Sequence, residues 1–235
     1  MESGQKRLSY LTPQISIAAV LIAFWSLGCI LLIMFPTHQI QINETNHTIY
    51  CGLQLAINQL TGTFYVDQFF KWITFLGDGW FALILIVLIG FIRFRKAVIL
   101  CMVTLFASLS SQFLKNHVFE NHHRPLFIFN HFDRHEFKHS ADLQLHIHNS
   151  FPSGHTTQAF AIFIFFALIS SRLSIKLSFT ALALLVGFSR IYLGQHWTQD
   201  VIAGSMIGSF FACLGYWAYL FFKPLHLKFY RKKPA

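Results

Sequence analysis

Pro152-Ser153-Gly154-His155 runs without a break into Thr156-Thr157-Gln158-Ala159-Phe160-Ala161-Ile162-Phe163-Ile164-Phe165-Phe166-Ala167-Leu168-Ile169-Ser170-Ser171. A polar turn opening directly onto an apolar run predicts a helix whose first turn carries chemistry and whose body lies away from water. Unpaired N–H groups and the positive end of the helix dipole make such a start a cradle for phosphate oxygens. Gly154 lets a ligand approach the backbone closely, and Ser153 either caps the helix or offers its hydroxyl to an oxyanion.

The surrounding composition identifies the medium. Of 235 residues, 54% are hydrophobic and 11% charged, with a mean hydropathy of +0.51, which leaves too little polar surface for a soluble globule. A helix that crosses the hydrocarbon core needs about 20 apolar residues. Six windows qualify, at 14–35, 72–92, 97–114, 156–171, 177–193 and 200–222. The first lacks a small-residue cleavage site and reads as a retained span, not a signal peptide. The predicted fold is all-α, an integral membrane bundle of six transmembrane helices forming one domain over residues 1–235.

Charge orients the bundle. With both termini cytoplasmic, inner segments hold 12 of the 18 Lys and Arg residues, among them Arg93, Arg95, Lys96, Arg172, Lys176 and the tail from Lys223 to Lys233. Eight of the nine acidic residues fall on the outer side, Glu2 being the exception. The Pro152–His155 turn then lies at the outer membrane-water interface. The chain reads as a multi-pass protein of a bacterial cytoplasmic membrane, its site facing the periplasm or exterior.

The formal charge of +9 does not indicate nucleic-acid binding, because the excess sits in short inner loops and the tail, where anionic lipid headgroups meet it. Cys29, Cys101 and Cys213 fall within predicted spans and only Cys51 lies in an outer loop, so neither a disulfide scaffold nor a cysteine metal site is expected. The first outer segment, 36–71, carries sequons at Asn43 and Asn46, and its stretch from Leu53 to Phe70 suggests an interfacial helix. The second, 115–155, holds eight of the 13 histidines, at 117, 122, 123, 131, 135, 139, 146 and 148 besides His155 of the turn. Their scattered spacing favours a solvated, headgroup-facing loop over a zinc site.

Two more segments complete a kit for phosphoryl transfer. Ser189-Arg190 closes the fifth window, and His196 and Asp200, four residues apart, open the sixth. At that spacing the carboxylate can take one imidazole N–H, leaving the other nitrogen as a nucleophile. Arg190 offers a planar fork for phosphate oxygens. Lys115 ends the third window and Arg124-Pro125 follows nine residues later, adding two cations. Asp78, between Gly77 and Gly79, is an ionisable group at membrane depth and a further candidate.

These three segments resemble the tripartite signature of the type 2 phosphatidic acid phosphatase superfamily, which also contains the vanadium haloperoxidases. The second and third match without deviation; in the first, eight residues separate Lys115 from Arg124, where many members have six. The motifs lie within 115–200. The resemblance implies a lipid phosphatase in which His196 attacks phosphorus, Asp200 orients it, and His155 protonates the leaving oxygen and later activates water. It also implies that Lys115, Arg124 and Arg190, with Ser153 and the Gly154 amide, hold the phosphoryl oxygens. Asp78 and Ser189 are expected to support the site from behind.

No metal or other cofactor is required by this scheme. The expected partners are the bilayer and a phosphorylated membrane lipid: undecaprenyl diphosphate, phosphatidate, phosphatidylglycerol phosphate or lipid A. The same residues would serve a vanadate-dependent haloperoxidase, against which the six spans argue. A noncatalytic lipid-phosphate binding or transport protein needs only the cations, not His196, Asp200 and His155.

Overall fold

A computed structural model of the protein describes Trp25 and residues 38–42, 45–49, 51–120, 122–129 and 149–222. The first apolar window, apart from Trp25, lies outside the described residues, as do Asn43, the histidines from 131 to 148 and the tail from 223.

The bundle is helical, and a short hairpin accompanies it. Strands β1 (His38–Ile42) and β2 (Thr45–Ile49) pair antiparallel in the register His38 with Ile49 through Ile42 with Thr45. The alternation His-Gln-Ile-Gln-Ile has the two-residue period of a strand, and Thr and Ile supply β-branched side chains. The expected interfacial helix from Leu53 to Phe70 is two helices, α1 (Cys51–Asn58) and α2 (Phe64–Phe75). Between them, Thr61 donates its hydroxyl to the Asn58 carbonyl and the Gly62 N–H reaches the Asp67 carboxylate, which satisfies the groups freed by the turn.

The window 72–92 is also divided. α2 stops at Phe75 and α3 (Gly79–His117) begins four residues later, the two meeting at 55°. Averaged hydropathy passes over this break because Asp78 is a single polar residue. Its Oδ1 accepts the Trp80 N–H at 2.8 Å and starts a new helix.

α3 is itself folded back on Arg93, whose φ of −145° and ψ of 65° are not helical. A straight helix would hold Gly79 and Ser111 about 48 Å apart at 1.5 Å per residue, yet both line one cavity. An arm from 79 to 92 and a return arm from 94 to 117 therefore lie side by side. They correspond to the second and third apolar windows.

α4 (Pro125–Ile128) is a single turn, and α5 (Gly154–Ile169), α6 (Leu173–Tyr192) and α7 (Thr198–Phe221) complete the bundle. α6 and α7 are each long and apolar enough to cross a membrane; α2 and α3 pass that test together, and α5 is apolar but shorter. Large apolar side chains point outward around the bundle, Phe91 at 86% exposure and Trp217 at 67% among them, as a lipid-facing surface requires.

α5 is the central helix. Phe160, Ile162, Ile164 and Phe165 are all buried, with α3, α6 and α7 packed around them. α7 comes closest, through Gly204 and Gly208. A Cβ on Gly204 would lie 2.6 Å from the Ser153 carbonyl oxygen, and one on Gly208 2.7 Å from the Phe160 Cβ. Small residues four apart permit this approach, the usual means of joining helices where hydrocarbon removes the hydrophobic drive. The close packing locks the start of α5 to the start of α7.

Candidate active site

The loop after α6 is drawn tight by its own backbone. The Gln195 and His196 N–H groups both donate to the Arg190 carbonyl, at 3.0 and 3.2 Å, and Gly194 takes a φ of +67°. That turn delivers His196 beside the first turn of α7, where Asp200 waits. His196 Nδ1 lies 3.3 Å from Asp200 Oδ2. The same oxygen accepts the Trp197 N–H at 3.0 Å and the Ser150 hydroxyl, and Ser150 Oγ stands 3.5 Å from Nδ1. Asp200 thus caps its own helix while accepting a hydrogen bond from Nδ1–H, which leaves Nε2 as the lone-pair nitrogen.

Backbone contacts bind the other segments to this one. The Ser153 N–H donates to the Asp200 carbonyl at 3.0 Å, the Ser150 N–H to that of His122 at 2.9 Å, and Trp197 Nε1 to that of His123 at 2.8 Å. Arg124 Nη1 donates to both the backbone and side-chain oxygens of Gln195, each at 3.1 Å.

A cavity of about 310 Å³ opens between these elements, and Lys115, Arg124, Gly154, His155, Arg190 and His196 all line it. Six residues from three separated motifs thus share one space. Lys115, Arg124 and Arg190 are each at most 9% exposed. Three buried cations facing one void are unfavourable unless an anion shares it, and a tetrahedral phosphoryl group is such an anion. Burial, and then the positive charges of Arg124, Arg190, Lys115 and His155, push the His196 pKa well below the ordinary histidine value. His196 is therefore a neutral imidazole at physiological pH.

Ser153 and Ser189 do not line the cavity. Ser153 Oγ is fully buried and accepts from the Thr156 hydroxyl at 2.9 Å and its N–H at 3.5 Å, so it caps α5. Ser189 Oγ donates to the Val186 carbonyl at 2.6 Å. Asp78 lies behind the other histidine: its Oδ2 is 3.5 Å from His155 Nε2, with both side chains about one-third exposed. Gly77 makes that approach possible, since a Cβ there would lie 2.5 Å from the His155 carbonyl oxygen. Among the described residues no three His, Cys, Asp or Glu converge as a metal site would need.

Three site residues have no sequence signal. Ser150 meets Asp200 from 50 residues away, Gln195 holds Arg124, and the Thr74 hydroxyl accepts from Arg190 Nη1 at 2.9 Å. Ser150 and Thr74 lie outside the three segments, and Gln195, although inside the third, is not one of its motif residues; only the fold makes them partners.

Residues 96–224 match the PAP2 superfamily. Curated relatives include the lipid A 1-phosphatases of Rhizobium johnstonii, 43% identical over 65 residues, and Porphyromonas gingivalis, 41% identical over 71 residues. Those stretches are 28% and 29% of this chain but 26% and 16% of the relatives, so the chain spans about a quarter or less of the length of the curated relatives it matches. Among solved structures, Aquifex aeolicus LpxE superposes with a TM-score of 0.56 at 27% identity, covering 69% of this chain and 92% of that one. The transmembrane PAP2-type phosphatidylglycerolphosphate phosphatase of Bacillus subtilis superposes with a TM-score of 0.60 at 23% identity, covering 87% and 98%, a likeness of fold. A family match over more than half of its length establishes that the chain belongs to the PAP2 superfamily.

Proposed function

We propose that the protein is a metal-independent membrane lipid phosphatase working through a phospho-histidine, a single domain of six spans with the site at the outer interface and both termini cytoplasmic. The observation that carries this reading is the His196–Asp200 pair facing a cavity lined by Lys115, Arg124 and Arg190. The cations and the Gly154 amide hold the phosphoryl oxygens where charge develops in the transition state. His196 Nε2 attacks phosphorus as the bond to the lipid oxygen breaks, and His155 gives its proton to that oxygen. His155 then takes a proton from water, the hydroxide attacks phosphorus, and the phosphorus–nitrogen bond breaks, restoring both histidines. Asp200 stays hydrogen-bonded to Nδ1–H throughout, and Asp78 lies 3.5 Å behind His155 Nε2.

The relatives named lipid A 1-phosphatase favour a phosphorylated sugar lipid among the candidate substrates. Phosphate release by the purified protein in detergent, measured with lipid A 1-phosphate, phosphatidylglycerol phosphate, phosphatidate and an isoprenyl diphosphate, tests the reading. Turnover that survives EDTA and is inhibited by vanadate is expected. No release from any of the four, or an absolute need for a divalent metal, would sink it.

A further inference from the structure

The cavity has two chemically different halves. Lys115, Arg124, Arg190 and the two histidines form one. Deeper along α3 and α5 the lining is neutral: Ser108, Ser111, Gln112 and Gln158. Ser108 precedes Lys115 by seven residues, about 10 Å of helix.

Ser111 is the informative member. A buried helical hydroxyl ordinarily donates to the carbonyl three or four residues back, and Thr104, Thr180, Ser189 and Ser205 all do so here. Ser111 is only 2% exposed and lines the cavity, yet its Oγ has no hydrogen-bond partner among the described residues. A Cβ on Gly154 would lie 3.9 Å from that oxygen and 3.7 Å from Lys115 Nζ, so hydroxyl and ammonium flank one point at the start of α5. Gln158, 6% exposed, accepts the Ser108 hydroxyl on Oε1 at 2.8 Å, which orients its amide and leaves Nε2 as a donor.

A membrane lipid whose phosphate sits among the cations must place its leaving group on the hydrocarbon side, against this neutral set. Unpaired hydroxyl and amide groups there match hydroxyls and amides, and an apolar leaving group would bury them unsatisfied. We infer that Ser108, Ser111, Gln112 and Gln158 form a leaving-group subsite that selects phosphorylated headgroups bearing hydroxyl or amide groups over apolar ones. The inference rests on the phosphatase reading and adds a specificity to it.

The test compares kcat/KM of the wild type, Ser111→Ala and Gln158→Met in detergent on four lipids. Beyond the oxygen bonded to phosphorus, lipid A 1-phosphate and phosphatidylglycerol phosphate carry hydroxyl or amide groups on their leaving groups; phosphatidate and an isoprenyl phosphate do not, and these two are the apolar pair. Each variant should lose about 10-fold on a polar substrate, the loss of one hydrogen bond, and less than about 3-fold on the apolar pair. Whether the sugar or the glycerol lipid shows the loss identifies which headgroup the subsite reads. Ser108→Ala, which releases the Gln158 amide, should reproduce the Gln158→Met pattern. Retained turnover of phosphatidate establishes that each variant is folded. Equal losses on all four lipids, no loss on any, or variants too unstable to turn over phosphatidate would overturn the subsite. A wild type active only on the apolar pair overturns it too, while leaving the phosphatase reading intact. A wild type inactive on every lipid overturns both.

Discussion

His196 Nδ1 and Asp200 Oδ2 lie 3.3 Å apart with both side chains at most 2% exposed, and Ser150 and the Trp197 N–H converge on the same carboxylate oxygen. The imidazole is thereby fixed in tautomer and direction before any substrate arrives. Asp200→Asn keeps the shape and removes the charge, and should lower kcat by roughly 10³-fold or more. Ser150→Ala removes one of three contacts, and about a 10-fold loss is expected. Steady-state kinetics on one lipid substrate compares the two; a larger effect at Ser150 would contradict the assignment of Asp200 as the orienting group.

Burial and the surrounding cations hold the His196 pKa far below its usual value. The nucleophile is the neutral form, so the acid limb of kcat/KM should fall below the ordinary histidine value of about 6.5. Arg124→Gln removes the strongest of the repelling charges and should move that limb upward, in addition to weakening phosphate binding. Linked stability has a definite sign. The unfolded chain takes a proton at about pH 6.5 that the folded site refuses, so stability present above that pH is lost as pH falls from there toward the folded value. A pH–rate profile that does not move in Arg124→Gln would argue against this electrostatic account.

Asp78 reaches His155 across 3.5 Å while capping α3. Asn preserves the cap, so Asp78→Asn isolates the charge. At a site one-third exposed the effect is modest, about 3- to 10-fold in kcat on a lipid ester. A nitrophenyl phosphate, whose leaving group needs no proton, should show almost none. An equal loss on both substrates would mean that Asp78 does not act through the acid.

The motif residues were legible because each belongs to a helix end or the turn beside it, where chain spacing and spatial position are tightly related. The windows 156–171, 177–193 and 200–222 likewise fall on α5, α6 and α7. Where one polar residue interrupts an apolar run, as Asp78 does, averaged hydropathy hides the break. The strand at 38–42 carries an alternating pattern, visible in principle beside the sequons. Ser150, Thr74 and Gln195 were illegible for another reason: each is an ordinary polar residue whose role exists only through a partner that the fold brings to it.

Close packing at Gly204 joins the two halves of the site, since the Ser153 carbonyl oxygen would lie 2.6 Å from a Cβ there. Gly204→Ala must push α7 from the start of α5, at a cost of about 1–3 kcal/mol. It should also lengthen the bond from Ser153 N–H to the Asp200 carbonyl. A lowered thermal midpoint in detergent together with reduced kcat is expected. Gly90→Ala, with its nearest neighbour 3.8 Å away at Ala97, is the control and should change neither.

The steric course at phosphorus distinguishes a covalent phospho-histidine from direct attack of water or alcohol. A substrate whose phosphoryl group is made chiral with oxygen isotopes is turned over in the presence of an alcohol acceptor, and the configuration of the transferred group is determined. Attack by His196 followed by attack of the acceptor on the phospho-histidine inverts phosphorus twice, so net retention is predicted. Net inversion would show a single direct displacement, with His196 never bonded to phosphorus, and would contradict the account.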